Sequence, residues 1–507
     1  MSLSRDLKGL ANSALRSRFG DMERFRDYEP DQQVFMTLNP SENFGRDSFE
    51  GFLVATIKDL DLSAFWANSD RGGETPYDPR AMLGIILYGF CQGIFSSRKL
   101  EHACRHDLGF MYVSGHNSPD HAAICRFLKR HDQQLKLVFR QLVYLAHSKG
   151  FIDYHCLALD GTKIKANAGR SYTGTLKDFK KRIGAIDRFV AKALNRLESS
   201  TGDDTERLQA KIDKVKAEQE RIKTFLTESK EQFTVSGTEK KQNITDPDCR
   251  MMLLANGAHT EAYNAQACVD DKTGMVVGIT VVQAENDMKQ LNPVLDTVIG
   301  PENKELKEVK VLADAGYWDP DQLGQAEARG FETYVPDPAK SCPYKSDKPA
   351  EPKPSLSSVE CQGTTVVACC TGGKLITATP AILTHKNKNQ GDTFRSFPTK
   401  QDGECLACAL RSQCFPAGRL KKIFTMSVTK ASNHEAIKTV AERMKSEAGL
   451  KTFSRRMPLI ERTFAEMKST MRFRSFLRRG LQAVNLEWTV LCIAFNLRRM
   501  HSVMQPG

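Results

Sequence analysis

Two aspartates of this 507-residue chain share one local pattern. Asp160 closes the apolar run LALD and Asp314 the run VLAD, and each is followed by a glycine within two residues. A short apolar run of this kind reads as a buried strand, so each carboxylate is expected at a strand end, where acidic groups of adjacent strands can converge. Convergent carboxylates suit phosphoryl transfer. Mg²⁺ prefers hard oxygen ligands, and two such ions about 3.5–4 Å apart clamp both the attacking and the leaving oxygen. Taken singly, either aspartate is more often a turn former or a helix cap. A third carboxylate adds weight. In PLIERTFAEMKSTMRFRSFLRRG, the residues Ile460, Phe464, Met467 and Met471 form one apolar helical stripe. At about 100° per residue, Glu461 falls roughly 90° from the centre of that stripe, with Lys468 and Arg472 within roughly 20° of it. Glu466 falls on the opposite, solvated side. A helix packed on a sheet would thus turn Glu461 towards a strand-end aspartate and line up two cations for the phosphates of a bound strand. An ordinary amphipathic helix explains the stripe equally well, but not the acid and base aligned beside it.

The elements that must hold these groups are read from the intervening chain. FIDYHCLALDGTKIKANA is expected to be a hairpin turning just after Asp160. AYNAQACVDDKTGMVVGITVVQ reads as two strands around DDKTG, DMKQLNPVLDTVI as a helix, VKVLADAGY as a strand ending at Asp314, PDQLGQAEARG as a helix and FETYVP as a strand. Hairpin strands followed by alternating strand and helix give an α/β fold, a mixed sheet flanked by helices, over residues 151–336. Within it, residues 176–230 carry two charged helical repeats around SSTGDD, an antiparallel coiled-coil hairpin read as a spacer. Residues 76–150 form a helical unit in which Pro79 suits a first turn and Ser118 or Asp120 a cap. Its last helix carries Arg126, Lys129 and Arg130, the outline of a helix-turn-helix DNA binder and of many helical bundles alike. Residues 1–75 are an N-terminal extension, 337–450 a cysteine-bearing insertion, and 451–507 the final helices.

Six segments, in order, resemble those of the DDE transposases of bacterial insertion sequences: YDPRAMLGIILYGFCQGIFSSRKLEHA, SPDHAAICRFLKRH, LALDGTKIKANA, NITDPDCRMM, VLADAGYWD, and IERTFAEMK followed by RFRSFLRRG. With their connections they span most of residues 75–500. The resemblance implies a ribonuclease H-like core that uses Mg²⁺ (or Mn²⁺) to cut DNA at the element's terminal inverted repeats and to join the freed 3′ hydroxyl to target DNA. It places the family's metal-binding carboxylates on Asp160, Asp314 and Glu461, with Asp160 bridging both ions. The family's tyrosine, arginine, glutamate and lysine signature looks like Phe453, Arg456, Glu461 and Lys468 here, so the tyrosine hydroxyl is absent. Where the family has a glycine-bearing turn after its glutamate, ERTFA predicts a more regular helix. The resemblance also implies DNA contacts by Arg456, Lys468, Arg472, Arg474, Arg478 and Arg479, and a homodimer or higher oligomer on DNA. A DNA-binding regulator with an inactive core is the alternative, and a nuclease that stops at strand cleavage would share the same carboxylates.

The cysteines form a second constellation. Seven of the 14 fall between Cys342 and Cys414. Cys405 and Cys408 make a CxxC pair and Cys414 follows, three ligands of a tetrahedral Zn²⁺ or iron–sulfur site. In the resembling transposases a cysteine preceding glycine completes the set, which fits Cys370 best, with Cys342, Cys361 and Cys369 as further candidates. A zinc held by four thiolates has no open position and would be structural. The net charge of +12 is focused: Lys451–Gly480 holds nine basic and two acidic residues, a field that favours polyanions. No apolar run approaches a membrane span, and MSLSRDLKGLANSALRSRF lacks a secretory core, so the chain is expected in the cytoplasm, associated with the nucleoid when bound to DNA.

Overall fold

The structure, a computed structural model, describes residues 44–45, 47–67, 76–198, 203–234, 237–300, 306, 308–338, 354–362, 365–384, 393–416, 419–427 and 433–505. Cys342 lies outside these, as does most of the N-terminal extension; the side chain of Cys361 is likewise not described.

The helical unit is built from α1 (Phe49–Asp59), α2 (Pro79–Cys91), α3 (Ser97–His106), α4 (Leu108–Val113), α5 (His121–Arg130) and α6 (Asp132–Ser148). Pro79 occupies the first turn of α2, where its missing N–H costs nothing, and the Asp78 carboxylate accepts from the Arg80 amide. Asp120 caps α5 through the Ala123 amide. Helix α2 is buried on nearly every side.

The sheet contains β1 (Cys156–Lys165), β2 (Arg250–Leu253), β3 (His259–Asp270), β4 (Val276–Val282), β5 (Val309–Leu312) and β6 (Phe331–Tyr334). Strand β3 pairs antiparallel with β1 along one edge, and β2 and β4 share its other edge. On the far side of β1, β5 and then β6 run parallel to it. This mixed α/β arrangement is compatible with the expected ribonuclease H-like fold.

The hairpin expected at Asp160 is not formed. Strand β1 continues unbroken through Asp160, Gly161 and Thr162, because β3 pairs with it from Leu157 to Lys165. Asp160 therefore sits in mid-strand. It is nonetheless at an edge, since β5 pairs with β1 only as far as Ala158 and leaves the side of Asp160 open.

Two long helices, α7 (Leu176–Leu197) and α8 (Asp203–Glu228), leave the sheet after β1. A capping box of Thr175 and Asp178 starts the first. Phe179 packs on Phe225, Arg182 pairs with Glu218 and Gln219 donates to Asp187, so the helices run antiparallel. Short helices α9 (Leu291–Leu295) and α10 (Pro320–Ala328) follow β4 and β5.

The insertion is largely β. Leu356–Gln362, Thr365–Cys370 and Leu375–Thr377 form one three-stranded sheet, and Ile382–Thr384, Thr393–Lys400 and Lys421–Ser427 another. Val359, Val366, Ala368, Ile376, Phe397, Phe424 and Met426 make a core of their own. The chain then returns through α11 (His434–Arg443), α12 (Glu447–Ser454), α13 (Arg456–Ala465), a π-helical turn at Glu466–Thr470 and α14 (Leu481–Met504).

Candidate active site

Strand alternation decides what Asp160 meets. Asp160 and Thr162, two residues apart, share one face of β1, and α13 with its π turn packs there. Arg456, in the first turn of α13, donates from Nη1 to Asp160 Oδ2 at 3.1 Å. Lys468, in the π turn, donates to Thr162 Oγ1. Asp160 Oδ1 also accepts from the Gly161 amide at 2.8 Å. Burial lifts the Asp160 carboxyl to about 6 against the pull of Arg456, and Asp314 nearby adds to the rise. Burial conversely lowers the pKa of Lys468, which Asp160 partly offsets.

Asp314 lies two residues beyond the end of β5 and caps a 3-10 turn, Ala315–Tyr317, by accepting from the Gly316 amide at 2.9 Å. It is thus a turn cap and a neighbour of Asp160 at once. Tyr317 is fully buried, and its hydroxyl is held protonated first by that burial and then by the charges of Asp287, Asp160 and Asp314. The charges of three aspartates therefore act on one hydroxyl.

Asp287 was not singled out in the sequence. Its Oδ1 accepts from Asn264 Nδ2 at 2.8 Å and Gln266 Nε2 at 2.6 Å, both amides coming from β3. Gln266 in turn accepts from the Tyr317 hydroxyl. The detectable signal was AYNAQACV: two amides at alternate positions of a fully buried stretch whose other residues are Ala, Tyr, Cys and Val demand polar partners. Gly161 is required by this network. A Cβ there would press on Gln266 Nε2 and lie 2.6 Å from Asp287 Oδ1 and 2.8 Å from Asn264 Oδ1.

Glu461 is exposed on α13, and no hydrogen bond or ion pair engages it among the described residues. It does not close with Asp160 and Asp314 into a compact trio. Among the described residues, the group whose ligand atoms all lie within 4.8 Å is Asp153, Asp270 and Asp271, elsewhere on the sheet. That group has partners: Asp270 accepts from the Tyr154 and Lys272 amides, Asp271 pairs with Arg455, and Asp153 lies 3.9 Å from Lys272 Nζ.

Two expectations for this helix are corrected. Glu466 is not on a solvated face: its oxygens lie 3.8 Å from Arg498 Nε and 3.9 Å from Arg499 Nη1. Nor is the helix more regular, because five residues form a π turn directly after α13. The extra residue per turn rotates Lys468 towards β1, and Arg472, at a φ of 61°, lies past the helix end.

The basic residues divide into two groups. Arg126, Lys129 and Arg130 are exposed on α5, and Arg472, Arg474 and Arg479 on the loop after the π turn. Arg478 is turned inward beside Glu487, and its pKa is lowered by burial. Glu487, itself pushed to about 7 by burial, accepts from the Leu477 and Arg478 amides and so fixes the loop. Arg479 donates to the Asn167 carbonyl, and the loop joins the end of β1 through a parallel bridge between Lys165 and Ser475. Arg456 also lies over the ring of Phe453, 5.9 Å away, so the residue standing in for the tyrosine supplies a face rather than a hydroxyl.

In the insertion, Cys370, Cys405, Cys408 and Cys414 line one cavity of about 30 Å³. Gly372 permits the approach: a Cβ there would lie 2.6 Å from Cys408 Sγ and 3.7 Å from Cys370 Sγ. The Cys414 thiol is raised by burial, with Cys370, Cys408 and Cys405 contributing. The Lys374 ammonium stands 3.8 Å from Cys405 Sγ.

No helix among the described residues is long and apolar enough to cross a membrane. Among known protein families, residues 369–501 match the one described as transposase DDE domain, and residues 42–130 match the transposase domain (DUF772). The first match contains the four cysteines, Arg456, Glu461 and Lys468; the second covers most of the helical unit. Asp160 and Asp314 lie between the two. No curated protein and no solved structure matches the chain.

Proposed function

From the two transposase domains this chain carries, a pairing typical of bacterial insertion sequences, we propose that it is the DDE transposase of such an element. In this reading it binds the terminal inverted repeats, cleaves at the element ends and transfers the 3′ hydroxyl to target DNA. What supports this site is that the charge of Asp314 is felt by Asp160 at the open edge of β1, where hard, partly buried oxygens suit Mg²⁺ or Mn²⁺. Asp160, Asp314 and Glu461 would hold the ions, which supply a lowered pKa for the attacking hydroxyl and charge compensation for the leaving oxygen. Glu461, exposed on α13 and apart from the two aspartates, would join them from the helix side when metal and DNA are bound. Arg456 and Lys468 hold the Asp160 face of β1, and the exposed Arg472 and Arg474 meet backbone phosphates, which positions DNA without reading its sequence. Arg126, Lys129 and Arg130 on α5 serve the ends in the same way. The cytoplasm, with access to the nucleoid, is the compartment this activity requires, and joining two ends calls for more than one copy of the chain.

The test combines purified protein and Mg²⁺ or Mn²⁺ with DNA carrying the element ends and a target plasmid. Nicking at the ends with joined products supports a transposase. End binding without cleavage points to a regulator, and cleavage without joining to a nuclease.

The four cysteines are proposed to hold one structural Zn²⁺, because they share one cavity and leave no ligand position open. Metal analysis is expected to find about one zinc per chain. Chelation should lower the melting temperature and open the insertion to proteolysis, while a Cys408→Ser variant without zinc should behave like the chelated protein. Full-length protein purified without zinc and unaffected by chelator would overturn this assignment.

A further inference from the structure

Three observations single out Asp287. Its Oδ1 is pinned by two amides from β3, which leaves Oδ2 without a hydrogen bond among the described residues. That oxygen points to Gly316: a Cβ built there would lie 3.8 Å from Asp287 Oδ2 and 2.9 Å from Asp314 Oδ1. The two carboxylates thus share a space that only glycine leaves open, and Gly161 leaves the room in which the β3 amides reach Asp287 Oδ1. Finally, the nearby cations both serve Asp160, Arg456 by its ion pair and Lys468 by its field. Among the described residues no Lys, Arg or His forms an ion pair with Asp314 or Asp287. Two half-buried carboxylates facing one gap without a counter-charge repel each other in a medium of reduced dielectric, and a cation between them removes that cost.

We propose that Asp287 is a fourth acidic ligand of the site, holding a divalent cation together with Asp314 through Oδ2. Asn264 and Gln266 act as positioning residues: each donates to Oδ1, which fixes which oxygen faces the gap. Asp160 approaches the open edge of β1 from the face that carries α13, and Asp287 approaches from the face that carries the β3 amides. The site is therefore fed from both faces of the sheet, with Tyr317 as its floor. This inference rests on the reading of Asp160 and Asp314 as metal ligands.

The test is Mn²⁺ binding to the full-length, DNA-free protein, followed by calorimetry and by the metal-dependent rise in melting temperature. Asp287→Asn keeps the shape and an oxygen for both amides, so the metal-free melting temperature should hold or rise as repulsion is relieved. Its Mn²⁺ dissociation constant should increase at least tenfold, as it should for Asp314→Asn. Asp287→Ala provides a second variant in which Asn264 and Gln266 can bond to each other, and the same loss is expected. Mn²⁺ affinity unchanged in both Asp287 variants, with affinity lost in Asp160→Asn, would overturn the inference and leave the transposase site standing. Affinity unchanged in Asp160→Asn and Asp314→Asn as well would overturn the reading of the site itself. A loss in Gln266→Leu as large as in Asp287→Asn, reversed by Gln266→Asn, would show the positioning role directly.

Discussion

Asp160→Asn should reduce metal-dependent cleavage at the element ends by three orders of magnitude or more, about 4 kcal/mol of transition-state stabilisation. The substitution keeps the size of the side chain, but its single amide oxygen can accept from either Arg456 or the Gly161 amide, so the charge and one hydrogen bond are removed. Binding of the ends should change by less than about threefold, because the groups proposed to meet phosphate are cations on α5 and on the loop after the π turn. Gel-shift titration alongside a nicking assay separates the two effects. Glu461→Gln should behave in the same way, whereas Glu466→Gln should retain cleavage, since Glu466 faces Arg498 and Arg499. Inactivation by Glu466→Gln with full activity in Glu461→Gln would assign the third carboxylate to the other side of the helix.

Trp488→Ala should cost about 3–5 kcal/mol of stability, read from chemical denaturation. Trp488 is 1% exposed in α14, and its indole N–H donates to the Gln266 carbonyl at 3.0 Å. Truncation would empty a volume beside β3 and remove that hydrogen bond. The damage should also reach the site, because the Gln266 side chain holds both Asp287 and Tyr317. Trp488→Phe keeps most of the volume and loses the donor, so it should cost less and separate packing from the hydrogen bond.

What could be read in advance followed from short-range pattern. The strand β5 with Asp314 beyond its end, the pair β3 and β4, the first turn of α2 at Pro79 and the Asp120 cap all depend on neighbours within a few residues. The failures depend on distant partners. Asp160-Gly161-Thr162 has the wording of a turn, but nine consecutive pairings with β3 keep it extended, and glycine is needed there for the room it leaves. The solvated position given to Glu466 assumed 3.6 residues per turn through a stretch that winds more widely. Arg478 reads as one more surface cation, and only the buried Glu487, nine residues on, turns it inward. The strands of the insertion alternate weakly, because their small core draws on two short sheets at once. Asp287 carries no motif at all, and what marks it is the polar face of a different strand.

Helix α14 touches both halves of the molecule. Asn496 pairs with the backbone of Val276 and Asn485 with that of Val281 in β4, while the Cys91 thiol at the end of α2 donates to the Ala494 carbonyl, 403 residues away in the chain. Arg498 donates to the Cys91 carbonyl, and His501 and Gln505 reach the carbonyl of Asp47 just before α1. Helices α1 and α2 thus wait for residues about 400 positions further along the chain before their burial is complete. Contacts of such separation form slowly, and the apolar faces of α1 and α2 stay open until α14 has been made. A nascent chain interrupted before residue 481 would hold the helical unit, the carboxylates and the basic loop, yet lack the helix that closes them into one core. The production of competent protein is therefore gated by the synthesis of α14.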